Sequence, residues 1–411
     1  MKDTLHTSWP WDVRLAVPAG AVSVAGDAMA MVALTLRIHS TGDGPYAVAV
    51  LLACFSLPVV LTMGVAGSLS DRADPRLVLG VGGAVQVLAA AGLATWHSVP
   101  ATLALVLLLQ TGFAFTNPVW SSVLTRAVGD ERVGGLVSTQ HALAAIAAPV
   151  GAALGGVLVQ LHGDPVVFVL DALTYLVLVA VGVSLRMRSE PSPGIGGGAR
   201  AGRVARVLGG VFPRAGLDVI RGELVVWVLV RALLPFVVTL EGMNTVEVFL
   251  LRDVLGASEA QFGLAQAVTG AGAVVGAGLA GLMATDTARL RAVVACVAAM
   301  SSAQVGQGLA PGLGVFLGFA VVLGLTNATS NAAIIAVLVR RVPACDRGKA
   351  MAVVNGLARS CTMLALALGG VAATLLGPRP SFVVAGTLGI AVAGWAWWSL
   401  QRVGALSGAR P

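Results

Sequence analysis

Charge is what this chain lacks most. Only 11% of its 411 residues are Asp, Glu, Lys or Arg, whereas 57% are hydrophobic and the mean hydropathy is +0.89. A soluble domain needs far more charge than that to cover its surface, so a soluble fold is excluded. Cysteine is scarce too. The four present, Cys54, Cys296, Cys345 and Cys361, have no paired spacing, which excludes a disulfide framework. No G-x-x-x-x-G-K-[ST] occurs: Gly348-Lys349 has Pro343 where the first glycine should stand, and no strand precedes the Gly-rich GIGGGA at 194–199. ATP hydrolysis of the P-loop kind is therefore excluded. The start, MKDTLHTSWPWDVR, is polar, and no short apolar run with a cleavage site follows it, so it is not a signal peptide. Trp9 and Trp11 read instead as interface anchors for a first helix. The net charge of +7 is spread over short loops, not gathered in one patch, which rules out a nucleic-acid partner. There is no His/Asp cluster, Ser/His pairing or metal-ligand spacing, and His141 stands alone, so neither an enzyme, nor a metal, nor a cofactor is expected.

What fills the chain is apolar runs. The first six are Leu15–Ile38, Tyr46–Leu69, Leu77–Trp96, Ala101–Leu124, Val133–Leu161 and Val166–Leu185. The second six are Leu224–Leu251, Phe262–Ala284, Ala292–Leu309, Leu313–Val339, Ala350–Leu376 and Ser381–Leu400. Runs of about twenty residues match the roughly 30 Å hydrocarbon core of a bilayer. Backbone groups in lipid must be paired internally, so only helices or closed barrels can span. Barrel strands alternate at period two, and these runs are apolar all round. The expectation is an all-α membrane protein with twelve transmembrane helices. Its organisation reads as a six-helix bundle over 1–185, a linker over 186–223 rich in Gly, Pro, Ser and Arg, and a second six-helix bundle over 224–411.

Lys and Arg set the orientation. With the N-terminus inside, 21 of the 26 basic residues fall on the cytoplasmic side, and only Arg37, Arg252 and Arg379 fall outside. Both termini are then cytoplasmic, in the plasma (inner) membrane. The halves also repeat. Arg37 and Arg252 are 215 residues apart, as are Arg76 and Arg291, Arg126 and Arg341, and Arg132 and Arg347. Around the last two pairs, RAVGDERVGG resembles RVPACDRGKA. A shift without inversion implies two bundles related in parallel, a design that puts a binding site centrally.

After the second run the chain reads Gly67-Ser-Leu-Ser-Asp71-Arg72-Ala-Asp-Pro-Arg76. This resembles the major facilitator superfamily signature G-x-L-x-D-R-x-x-x-R between helices two and three. The resemblance implies the major facilitator fold and a conformational latch. In it Gly67 lets helices approach, Arg72 and Arg76 complete the signature, and Asp71 meets the start of helix eleven near Arg347. The corresponding loop of the second half, GLMATDTARLR, keeps Gly281 and Arg291 but not the acidic–basic pair in register. Helix five carries APVGAALGG, with Pro149, Gly151, Gly155 and Gly156. It is similar to the antiporter element of facilitator drug exporters, although ordinary small-residue packing explains it equally well. Leu107 stands where many exporters have an arginine, while Gln110 and Asn117 stay polar. GGVLVQLHGDPVVFVLDALTYL and RGKAMAVVNGLA look like the branch containing the enterobactin exporter and related drug exporters. That branch is implied to move small hydrophobic or amphiphilic molecules outward in exchange for protons, as a monomer in membrane lipid.

Ionisable residues inside hydrocarbon are costly and usually have a task. Asp27 lies roughly 18 Å into the first run, near mid-membrane. Glu241, Glu247 and Arg231 lie in the seventh, Arg359 in the eleventh and Asp171 early in the sixth. The 215-residue shift sets Glu241 opposite Gly26, one residue from Asp27. A buried carboxyl can take a proton from one side of the membrane and release it at the other, or attract a cationic substrate. The competing reading is a static ion pair of Asp27 or Glu241 with Arg231 or Arg359. Glu247 is nearer the outer end, and Asp171 reads as a packing or capping group near the surface. The functional expectation is a proton-coupled efflux antiporter. The alternatives are a lipid or metabolite transporter working by import or flipping, and a non-transporting membrane sensor.

Overall fold

The computed structural model describes residues 11–70, 74–129, 132–184, 214–281, 283, 285–343 and 346–405. Among these the regular structure is helical throughout. The helices are α1 (Trp11–Ser40), α2 (Gly44–Ser70), α3 (Pro75–Thr95), α4 (Val99–Val128), α5 (Val133–His162) and α6 (Asp164–Ser184), then the short α7 (Arg214–Gly222). The second set is α8 (Leu224–Phe249), α9 (Glu259–Ala280), α10 (Asp286–Gly308), α11 (Leu313–Arg341), α12 (Arg347–Leu376) and α13 (Pro378–Arg402). Twelve of them, all but α7, are long and apolar enough to cross a bilayer. Their outer surfaces agree with that environment: Leu88 and Leu375 are 70% and 77% exposed in mid-helix and at a helix end, which water would penalise and lipid does not.

The helices outrun the apolar runs that predict them. Helix α10 starts at Asp286 and not at Ala292, because Thr285 caps it by accepting from the Ala288 N–H at 3.1 Å. Helix α9 opens on a capping box, Ser258 with Gln261. The stretch read as a linker ends in a short helix. Residues 214–222 form a helix because Leu217 and Ile220 fall on one side of it, and Ile220 is fully buried against Val226, Val230, Leu338 and Val342.

The chain forms two compact units, one of residues 1–34 and 54–208, the other of 35–53 and 209–411. Thr35–Ala53, which the sequence assigns to the first bundle, is grouped with the second unit. There His39 bonds Asp253 at 2.8 Å and Ala49 lies beside Gly370.

Within each unit the packing follows the same scheme. Helix α3 packs on α4 and α6 in the first unit, and α10 packs on α11 and α13 in the second. A side chain added at Gly151 or Gly155 would strike the α1 backbone at Ala25 or Met29. In the second unit the backbones of α8 and α12 approach as closely at Gly242 and Gly369. Shifted by 215, the first crossing falls within about two residues of the second, so the repeat read from arginine spacing is also a repeat of helix contacts.

Between α8 and α9 the backbone widens into a π-helical turn, Leu250–Val254. Arg252 secures it, donating to the Ala257 carbonyl and pairing with Glu259 at 2.6 Å. Replacing Arg252 with alanine is expected to cost about 1–3 kcal/mol, the worth of charge-assisted bonds. Thermal unfolding of the detergent-purified protein measures this; an unchanged midpoint contradicts the assignment.

Candidate functional site

The first unit holds a polar pocket in an apolar surround. It is lined by Asp27 of α1, Phe55 of α2, Gln110 of α4, and Asp171 and Tyr175 of α6, with Leu34 and Leu109 among its walls. Tyr175 is 2% exposed and donates its hydroxyl hydrogen to Asp27 Oδ1. Nearby, Thr116 of α4 donates to Gln86 Oε1 of α3 at 3.1 Å. Two side-chain bonds thus tie helices pairwise, Thr116 to Gln86 joining α4 to α3 and Tyr175 to Asp27 joining α6 to α1. Gln86 is 1% exposed, and burying its amide without such partners would cost a few kcal/mol.

Asp171 is 0% exposed. It lies seven residues into α6 and faces the pocket, packed among apolar side chains. Its Oδ1 accepts from the Thr174 hydroxyl at 3.4 Å, and its Oδ2 has no partner among the described residues. The two elements meet here because position 26 has no side chain: a Cβ there would collide with Asp171 Oδ1 and Thr174 Oγ1. Glycines at 151 and 155 bring α5 against the other side of α1. No residue lining the pocket is basic.

In the second unit Glu241 is half-buried and accepts from Asn244 of its own helix at 2.9 Å. Glu247 accepts from Gln266 of α9 at 3.1 Å. Arg231 is exposed and lies over the Trp395 ring at 5.4 Å and the Trp227 ring at 6.0 Å. Arg359 is exposed as well. Among the described residues of this unit no ion pair joins Glu241 to either arginine, so the static-pair reading of Glu241 finds no contact.

The predicted site residues thus separate. Asp27 and Gln110 meet in the pocket; Asn117, one position beyond Thr116, points away and is exposed. Pro149 sits in α5 beside the buried Gly151, Gly155 and Gly156. Of the latch, Asp71 and Arg72 lie outside the described residues, and Gly67 is described only as part of the α2 backbone. Arg76 is exposed in the first turn of α3, where the Asp74 carboxylate accepts its backbone N–H at 2.9 Å. Arg347 opens α12 and bonds the Val342 carbonyl at 3.2 Å.

Sequence reading missed Gln86, Thr116 and Tyr175. A lone glutamine inside the apolar third run was a signal, as was one of only two tyrosines placed near mid-run. It also missed an acidic centre in the second unit. Asp286, five residues before Arg291, accepts from Arg289 at 3.2 Å and pairs with Arg340 at 3.5 Å and Arg341 at 3.8 Å, while Arg341 bonds Glu223 at 3.0 Å. The acid keeps the register of the first half, since Asp71 shifted by 215 is Asp286; what the second half lacks is the basic neighbour, because Thr287 stands where Arg72 maps.

Comparison with known proteins bears on the whole chain. A family model described as Major Facilitator Superfamily matches residues 16–246 and 241–411. No curated protein matches the sequence. Among solved structures, a POT family transporter in complex with a thioalcohol-conjugated peptide superposes with a TM-score of 0.71 at 11% identity, covering 95% of this chain and 96% of that one. A bacterial homologue of the human lysosomal transporter Spinster, inward-facing and unoccupied, gives 0.71 at 14% identity, with 95% and 96% covered. A nucleoside transporter gives 0.70 at 11% identity, with 94% and 99% covered. At such identities the likeness is one of fold.

Proposed function

Because this chain belongs to the major facilitator superfamily, and is a multi-pass membrane transporter of that fold, we propose that it is a proton-coupled exporter of small hydrophobic or amphiphilic compounds. It works by alternating access, from the plasma (inner) membrane, with both termini cytoplasmic. The observation that carries the reading is the pocket at Asp27: a half-buried carboxyl held by Tyr175, with no basic side chain lining its surroundings. A carboxyl without a fixed counter-charge in low dielectric is neutralised by whatever mobile cation reaches it, and a proton is the smallest. The pocket has room for little more than an ion or a water, so it serves the coupling cation and not the cargo. The tight α1–α5 crossing at Gly151 and Gly155 supports the same reading, since it keeps the pocket-bearing helix in close register.

The test is a panel of lipophilic antibiotics and dyes against an efflux-deficient bacterial host carrying the gene. Any compound to which it confers resistance is then followed in inverted vesicles under an imposed pH gradient. We expect accumulation that collapses when a protonophore dissipates the gradient. Accumulation untouched by the protonophore overturns the coupling, and inward movement in whole cells overturns the direction.

A further inference from the structure

Asp171 is the buried carboxyl among the described residues with an oxygen left unbonded. A carboxyl with no exposed surface and one oxygen unbonded is a costly arrangement unless something else meets that oxygen. Thr174 bonds only its other oxygen. Asp27 shares its pocket and interacts with it electrostatically. Two carboxylates in one low-dielectric pocket repel, so both cannot be charged without a cation between them.

The groups lining the pair's pocket come from α1, α2, α4 and α6. Helix α2 presents Phe55, α4 Gln110 and α6 Tyr175, with Gln86 of α3 and Thr116 of α4 bonded to one another outside the pocket lining, while α5 meets α1 at Ala25 and Met29 and presents no titratable group to the pair. Tyr175 is the one further titratable group, and it is already committed as a donor to Asp27. Nothing lining the pocket supplies positive charge.

We propose that Asp27 and Asp171 form a single two-carboxyl seat for one small monovalent cation, lying wholly within the first unit, with the free Asp171 Oδ2 as its inner ligand. This rests on the transport reading above and adds a residue to it. Tyr175 is a positioning residue, whose hydroxyl turns Asp27 toward α6. The glycine at 26 is what admits Asp171 to the seat. The cation's chemistry fits either a proton or sodium, and the experiment separates them.

Proton uptake by the detergent-purified full-length protein is measured on acidification from about pH 8 to about pH 5, a range that spans perturbed carboxyl titrations. Wild type is compared with Asp27→Asn, Asp171→Asn and the double variant, and radioactive sodium binding is followed in parallel. On the proposal each single variant loses the same one proton and the double loses no more. If sodium is the ion, saturable binding disappears in both single variants instead. Asp171→Asn with undiminished uptake, or losses that add in the double variant, overturns the pair and leaves Asp27 as a lone carrier. No proton uptake and no sodium binding in wild type overturns both the pair and the coupled-transport reading.

Should Asp171→Asn fail to purify, the unaltered protein decides. A hydrophobic carbodiimide, which reacts with protonated carboxyls in membranes, is expected to mark Asp27 or Asp171 but never both in one molecule. Double labelling of the pair, or labelling of Asp27 alone, counts against a shared seat.

Discussion

Asp27→Asn is expected to slow efflux driven by a pH gradient by at least about tenfold, equivalent to about 1.4 kcal/mol of lost coupling. Asparagine has nearly the same shape as aspartate, and its amide oxygen still accepts the Tyr175 hydroxyl, so the junction of α1 with α6 survives. What disappears is the ability to take up and release a cation. Exchange of substrate for substrate, which needs no gradient, is expected to continue. The contrast is Glu241→Gln. Glu241 is tied to Asn244 one turn along its own helix and faces no buried second acid in its unit, so its loss is expected to change the rate by no more than about threefold. Rates in proteoliposomes across a series of imposed gradients check both. If Asp27→Asn runs at the wild-type rate with the wild-type pH dependence, the pocket is not the coupling site.

Gly151→Leu is expected to lower the melting temperature by several degrees or to leave only aggregate. At this position even a methyl group would overlap the Ala25 carbonyl, and the same crossing repeats four residues on, at Gly155 against Met29. The two backbones approach so closely only because nothing stands between them. A leucine must push α1 away from α5, and overpacking of this kind costs about 1–3 kcal/mol in rigid cores, more where backbone is struck. Because Asp27 lies between Ala25 and Met29 on α1, the displacement would also disturb the pocket. The control is Gly318→Leu on α11, where a Cβ meets nothing within 4 Å. Fluorescence-detected size exclusion after stepwise heating is the measurement. The control is expected to melt with wild type, and Gly151→Leu to melt several degrees lower or to run as aggregate. Equal melting of the two variants would falsify the close crossing.

Much of the fold was legible in the residues. The twelve spans follow from run length alone, since a bilayer offers the backbone no other partners. Helix ends were not, because polar caps such as Thr285 and Ser258 extend a helix past its apolar part. Of the site, Asp27 was visible as a charge where charges are rare. The roles of its neighbours were not. Tyr175 and Asp171 lie 148 and 144 residues away along the chain, and nothing local ties them to α1. Asn117 and Thr116 are adjacent and both polar, yet only Thr116 faces Gln86, because one residue turns the side chain by about 100° around a helix.

By itself, then, the sequence determined a membrane protein of twelve helices in two repeated halves, because hydrophobic length and arginine spacing act locally and need no partner. Only the tertiary structure decided which acids are neighbours. That choice depends on where backbones can approach, at Gly26, Gly151 and Gly155, and so on the packing of α1 between α5 and α6. It set Asp171, fully buried, in the same pocket as Asp27.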